Sequence, residues 1–273
     1  MGRSAVCAKL FSRAGPWQRS LTTAMRIALI SDIHGNLAAL EAVTADLRRR
    51  GVDTVVNLGD SLSGPLLPLE TAQFLMAEGW LSLAGNHERQ LLVDDPARRG
   101  AADEFARARL TAAELAWVAA LKPHAQLTPD VLLCHGTPSS DVIYFLETLD
   151  DNGVVRAATP DEVESRLGAQ ASSLIACGHT HIARVVGTKK GQRIVNPGSV
   201  GLQAYSDTHP VPHRVENGSP DARYAIVEAR RSGWCVELMC VPYDHKAMAD
   251  VASRNGSQRW AHALLTGHCM DGA

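Results

Sequence analysis

The chain lacks the features that would commit it to a membrane, a disulfide scaffold or the backbone of a nucleic acid. No apolar run approaches the roughly 18 residues that a membrane-spanning helix needs. Lys and Arg number 27 against 29 Asp and Glu, a formal net charge of -2, so there is no polycation suited to nonspecific binding along phosphates. The six cysteines, Cys7, Cys134, Cys177, Cys235, Cys240 and Cys269, include no C-x-x-C pair and no small-scaffold spacing. Cys134 and Cys177 fall inside apolar strand-like runs, while Cys235 and Cys240, an odd number of places apart, would face opposite sides of one strand. They read as reduced thiols of a cytoplasmic protein. Internal repeats, low-complexity segments and Ser or Cys nucleophile motifs are also missing. What is left is a chain of 273 residues, enough for one large core, whose chemistry has to come from Asp, Asn and His.

Those residues sit in a repeated context. Ile27 to Asn36 reads I-A-L-I-S-D-I-H-G-N, an apolar run that breaks on Asp32 and brings His34 two places later. Two places on extended backbone means one side, so a carboxylate and an imidazole leave the strand end together. Thr54 to Asp60, Trp80 to His87, Val131 to Gly136 and Leu174 to His181 repeat the form. Each is a short apolar run closed by small residues and then Asp, Asn or His. Chemistry in an open α/β sheet collects beyond the carboxyl ends of its strands, so five such endings point to one rim carrying metal ligands.

Between these runs the chain reads as alternating strand and helix. Leu37, Leu40, Val43 and Leu47 keep helical spacing, with Arg48 to Arg50 in the last turn and Gly51 as the stop. Ser61 to Pro68 is a loop, and Leu69 to Ala77 is helical. Asp103 to Leu121 is helical with a break at Thr111, where Thr111 and Glu114 form a capping box. Thr159, Pro160 and Glu162 make a second helix start. Beyond His181 the pattern turns to hairpins, at Ala183 to Thr188 with Arg193 to Val195 and at Tyr224 to Arg230 with Trp234 to Val241. Gln203 to Ala222 reads as a long loop near the site, with His209 and His213 as surface residues among prolines. Residues 257–273 read as a peripheral C-terminal helix and tail. Residues 1–24, basic and free of acidic residues, read as a disordered extension or upstream start ahead of a domain over 25–256, with an organellar transit peptide as the alternative.

The ordered series Asp32-x-His34, Gly59-Asp60, Gly85-Asn86-His87-Glu88, His135 and Gly178-His179-Thr180-His181 resembles the signature of the calcineurin-like metallophosphoesterases. It is most similar to the small bacterial phosphodiesterase branch, which also resembles the segment Asn196-Pro197-Gly198-Ser199. The resemblance spans Arg26 to Ser199. It implies an α/β protein, a four-layer α/β/β/α sandwich, with two divalent metal ions at the strand ends. By position, one ion would take Asp32, His34, Asp60 and His181. The other would take Asp60, Asn86, His135 and His179, so that Asp60 bridges. His87 would face the substrate as general acid or leaving-group contact.

An oxygen and imidazole donor set without thiolate independently suits first-row ions, with Mn favoured and Fe, Ni, Co or Zn also fitting. Such pairs, about 3.5 to 4 Å apart, hold a hydroxide nucleophile and the phosphoryl oxygens for in-line displacement. The expected activity is hydrolysis of a phosphodiester or nucleotide-like small molecule. The alternatives are a phosphomonoesterase or protein phosphatase, and a non-catalytic scaffold of the same fold. The expected partner is therefore a small phosphoester, with no nucleic-acid or membrane surface in view and homo-oligomerisation left open. Three departures from the family pattern are Ser63, where many members carry a second Asp; Ile182-Ala183-Arg184, where Pro is expected; and the long 203–222 segment. Arg89 and Arg184 could clamp a phosphate or serve as solvated ion-pair partners.

Overall fold

The computed structural model describes residues 25–271, so the expectations for residues 1–24 and for Cys7 lie outside the described residues. In chain order the elements begin β1 (Arg26–Ile30), α1 (Leu37–Arg50), β2 (Thr54–Asn57), α2 (Pro68–Glu78), β3 (Leu81–Ser82), α3 (Asn86–Leu91), α4 (Ala101–Arg107) and α5 (Ala112–Ala120). They continue β4 (His124–Thr128), β5 (Val131–Cys134), β6 (Glu147–Leu149), β7 (Val155–Ala157), α6 (Pro160–Leu167), β8 (Leu174–Ala176), β9 (Arg184–Gly187) and β10 (Arg193–Asn196). The last are β11 (Ala204–Asp207), β12 (His213–Glu216), β13 (Ala222–Arg230), β14 (Gly233–Val241), α7 (His245–Arg254) and α8 (Gln258–Thr266).

Ten of these strands form two five-stranded sheets, ordered β14-β13-β1-β2-β3 and β4-β5-β8-β10-β9. Each holds three adjacent parallel strands, β1 with β2 and β3, and β5 with β8 and β10; antiparallel β13 and β14 extend the first sheet beyond β1, with β3 at its edge, while antiparallel β4 and β9 flank the second on both sides. The alternation along β1 explains the layering. Ile27 and Leu29 point to one face and join Val56, Leu58 and Leu83 against Val131, Leu133, Leu174, Ala176 and Val195 of the second sheet. Ala28 and Ile30 point to the other face and meet Leu40, Val43 and Leu47 of α1. On the far side Val163 and Leu167 of α6 cover Leu132, Cys134, Ile175 and Ile194. The order helix, sheet, sheet, helix is the expected four-layer α/β/β/α sandwich. The centres of both inner faces are fully buried, with Leu127, Trp234 and Val236 partly buried around them, and each of the larger fully buried aliphatic side chains there contributes about 1.5–3 kcal/mol.

The capping signals lie where the sequence puts them. Thr111 and Glu114 close a reciprocal box at α5, and Thr159 and Glu162 do so at α6 behind Pro160. Two expectations are corrected. The 203–222 segment is not one loop: β11 and β12 pair antiparallel from Ala204↔Glu216 to Asp207↔His213. Nor is the C-terminal helix peripheral. α7 and α8 pack on Leu66, and Ala263 of α8 packs against Leu202 and Ala204 at the start of β11. No helix among the described residues is long and apolar enough to cross a membrane.

Candidate metal centre

Parallel strands place their carboxyl ends on one edge. β1 delivers Asp32 and His34, β2 delivers Asp60, β3 delivers Asn86 and His87, β5 delivers His135, and β8 delivers His179 and His181. Five of these residues bend the chain into left-handed backbone, with φ of 55° at Asp32, 52° at His34, 55° at Asp60, 69° at His179 and 60° at His181. They are the non-glycine residues with positive φ among the described residues. Such conformations cost energy and persist where the surroundings over-determine them.

The side chains gather into two groups. Ligand atoms of Asp32, His34 and His181 lie within 4.8 Å of one another, as do those of Asp60, His135 and His179. All eight residues named from the sequence come together, since His135 Nε2 also lies 3.2 Å from Asn86 Oδ1 and the His87 ring centroid lies 5.4 Å from that of His34.

Whether this donor set fits a cation can be read from its hydrogen bonds. His34 Nδ1 lies 2.9 Å from Ser63 O and His181 Nδ1 lies 2.7 Å from Leu202 O. A carbonyl only accepts, so both rings carry their proton on Nδ1 and expose a lone pair at Nε2. Those two Nε2 atoms are 3.1 Å apart. Two lone pairs at that distance repel unless a cation shares them. Beside them Asp32 Oδ1 is buried with no hydrogen-bond partner, 3.5 Å from His181 Nε2. An orphaned buried carboxylate oxygen is costly without a positive partner. In the second group His135 Nδ1 donates to Leu58 O at 2.9 Å, which turns Nε2 toward Asp60 Oδ2 at 3.1 Å. The set fits two divalent ions.

The electrostatics agree. Burial, with Asp60 opposing, pushes His34 down to about 4, and burial together with His135 pushes His179 down to about 3. Both are neutral imidazoles at neutral pH, the form that ligates. Burial also pushes Asp32 up to about 7, with nearby Asp60 adding to the effect. His135 goes the other way, up to about 10, because Asp60 and Asp32 outweigh its burial. A divalent cation between His135 and Asp60 would do for the carboxylate what the imidazolium proton otherwise does.

Three supports hold the loops. The Glu88 carboxylate, 1% exposed, accepts from the backbone N–H groups of Asp60, Ser61 and Gly85 at 2.7–2.8 Å, tying the β2 ending to the β3 ending. Gly85 packs so closely that a Cβ would collide with the Asp60 carboxylate. Asn196 donates from Nδ2 to Gly178 O at 2.7 Å and Thr180 Oγ1 at 3.0 Å. Ser199 Oγ donates to Asp32 O at 2.7 Å. The Asn196-Pro197-Gly198-Ser199 segment is therefore a turn that also clamps two ligand loops.

Several site residues carried no signal in the sequence. Asp103, in the first turn of α4 and 2% exposed, accepts from His87 Nδ1 at 2.7 Å. The His87 backbone N–H meanwhile donates to Asp60 Oδ1 at 2.9 Å. Burial would lower the pKa of His87, but Asp60 and Asp103 raise it to about 9. His213 is buried rather than a surface residue, which corrects the reading from its prolines. Its Nδ1 donates to Val211 O, so its Nε2 accepts from Tyr144 OH at 2.8 Å, and Tyr144 in turn accepts from Tyr205 OH at 2.6 Å. The Tyr144 and Tyr205 rings lie against His179 and His181 with centroids 5.2 and 4.7 Å apart. His209 stays on the surface. Arg89 forms a bidentate pair with Asp141 at 2.7 and 3.0 Å, and Arg184 pairs with Glu147 at 2.7 Å, so both are ion-pair partners.

Two packed sheets with this constellation at one rim define a class of metal-dependent phosphoric ester hydrolases. The chain belongs to the calcineurin-like phosphoesterase superfamily: the sequence model of the calcineurin-like phosphoesterase superfamily domain matches residues 25–219. It is 25% identical over 241 residues to an uncharacterized protein of Methanocaldococcus jannaschii, covering 86% of this chain and 94% of that one. Among solved structures it is similar to a metallophosphoesterase from Sphaerobacter thermophilus, with a TM-score of 0.69 and 25% identity over 89% of this chain and 100% of that one. A hypothetical protein from Pyrococcus horikoshii shares the fold, with a TM-score of 0.65 and 16% identity over 90% of this chain and 100% of that one.

Proposed function

We propose that the protein is a binuclear metal-dependent phosphodiesterase acting on a small molecule, with Asp32, His34, Asp60 and His181 holding one ion and Asp60, Asn86, His135 and His179 the other. The observation that carries this reading is the pair of facing Nε2 lone pairs beside an orphaned Asp32 oxygen, one residue set away from a matching cluster on Asp60. Bound ions, with Mn favoured and Fe, Ni, Co or Zn suited to the same donors, supply Lewis-acid polarisation of the phosphoryl oxygens and a water of lowered pKa. The water oxygen, having released one proton to solvent, bonds to phosphorus as the bond to the leaving-group oxygen breaks. His87, its Nδ1 fixed by Asp103, turns Nε2 to the cavity and gives that oxygen its proton. Diester preference rests on the likeness of the motif series to the small bacterial phosphodiesterase branch; Arg89 and Arg184, the two arginines singled out in the sequence, are engaged in ion pairs. The complete ligand set favours an enzyme over a scaffold of the same fold. The free thiols Cys134, Cys177, Cys235, Cys240 and Cys269 support the cytoplasmic setting.

The test compares metal content and turnover in two variants. His87→Ala should keep two ions and lose kcat by about 10² to 10⁴, the usual contribution of a positioned general acid, while Asp60→Ala should lose metal. Chelation should abolish turnover and Mn restore it. Full activity after verified metal loss, or loss of an ion in His87→Ala, would overturn the respective assignment.

A further inference from the structure

The proposed reaction uses only the floor of its cavity. The cavity measures about 630 Å³, a size that encloses an extended ligand rather than a lone phosphoryl group. One wall is built by elements far from the ligand motifs. Trp260, in the first turn of α8, sets its indole against the His34 ring with centroids 5.9 Å apart at 72°. The same indole covers Gly64, where a Cβ would collide with it, and Gly64 N–H donates to Ala102 O in α4 at 3.3 Å. That junction sets Arg98, just before α4, and Arg259, beside Trp260, around one cavity. Both guanidiniums are exposed. Unlike Arg89, Arg99, Arg156 and Arg184, neither is engaged in an ion pair among the described residues.

We infer that this wall is a subsite for the non-scissile part of a nucleoside oligophosphate, with the base on the Trp260 indole and a phosphate beyond the scissile one taken by Arg98 and Arg259. The inference rests on the reading that the cavity floor hydrolyses a phosphoester. An indole accepts any base through its π-face. A guanidinium presents a planar fork that matches phosphate oxygens. A protein substrate would instead call for an open surface, and a small diester would leave the wall unused.

Calorimetry on the full-length, Mn-loaded protein separates these parts. The probes are adenosine 5′-(α,β-methylene)diphosphate, whose bridge resists hydrolysis, and methylenediphosphonate, which lacks the sugar and base. The nucleotide should bind about tenfold tighter or more, the order expected of one base stacking on an aromatic ring. The R98Q/R259Q variant should weaken both probes. Trp260→Leu should weaken the nucleotide toward the diphosphonate and leave the diphosphonate affinity in place. Equal affinity for the two probes, or R98Q/R259Q affinities matching the parent, would overturn the subsite. The two arginines are surface residues, so their variant stands even if Trp260→Leu lowers Tm. Turnover of bis(p-nitrophenyl) phosphate tests the catalytic floor separately. A protein that binds as expected yet cleaves no ester would overturn the proposed reaction, and one that cleaves without discriminating the probes would overturn the subsite.

Discussion

Asp103→Asn tests whether a carboxylate from outside the ligand motifs sets up the proposed acid. The substitution keeps the shape of a side chain that is 2% exposed and lies 2.7 Å from His87 Nδ1. A hydrogen bond to a charged group contributes about 1.5–3 kcal/mol net, and a neutral one about 0.5–1.5 kcal/mol. If the amide oxygen simply replaces the carboxylate oxygen, the loss is therefore about 1–1.5 kcal/mol, roughly five- to fifteenfold in rate. If the amide turns and donates to Nδ1, the ring proton is forced onto the other nitrogen. The loss then approaches the about 10² to 10⁴ that a general acid supplies. Either way the effect should depend on the leaving group. Steady-state kcat is to be measured for p-nitrophenyl and for alkyl diesters, alongside metal content. A larger loss for the alkyl ester with two ions retained is the expected result. Equal losses for both esters, or loss of an ion, would refute the view that Asp103 works through His87.

Away from the site, Tyr224 OH donates to Asp46 Oδ2 at 2.6 Å inside the α1 packing. Tyr224→Phe should cost about 1.5–3 kcal/mol of stability by urea melts at neutral pH, since it removes a buried hydrogen bond to a charged group. Burial raises the Asp46 pKa, but Tyr224 and Arg50 together lower it below its usual value. A depressed carboxylate contributes stability above its unfolded pKa and loses it as pH falls through the folded one. The difference between parent and variant should hold at pH 7 and shrink below about pH 4; a difference that grows in acid would contradict this. A chain beginning at Met25, which packs against the inter-sheet core, should melt with the full chain. A Tm drop beyond about 2–4 °C, equivalent to roughly 1 kcal/mol at this size, would show that residues 1–24 contribute.

The parts of the fold that the sequence made legible are those with a local cause. The capping boxes at Thr111 and Thr159, the αL glycine after Arg50 and the hairpin of β13 and β14 each act over a few residues, and each is where its pattern puts it. The proposed ligands were legible because they fall in the few residues after five separate strands. Asp103 was not, since a carboxylate in the first turn of a helix reads as a partner for the helix dipole; only folding brings it to His87. The hairpin of β11 and β12 was hidden because its strands have four residues each and its connection holds Pro210 and Pro212, which read as loop. Trp260 lies in the segment that read as a peripheral helix, and nothing within α8 signals that His34 lies across from it.

The ligand loops also show how the fold is organised by its chemistry. Five non-glycine residues in left-handed backbone, at about 1–3 kcal/mol each, carry a strain comparable with the net stability of a whole domain, about 5–15 kcal/mol. Nothing local offsets it. The offset is the bonding of each loop to the next. Asp32 N–H donates to Gly59 O at 2.9 Å, His34 N–H to Asp60 O at 3.0 Å, Val200 N–H to Ser31 O at 2.9 Å and Gly201 N–H to Asp32 O at 3.0 Å. Glu88 and Asn196 add side-chain ties across the same gaps. Because each ligand loop is held by its neighbours, the carboxylates and imidazoles are aimed by the protein itself. That is preorganisation in the physical sense, in which the cost of orienting the groups is met during folding rather than at binding or reaction.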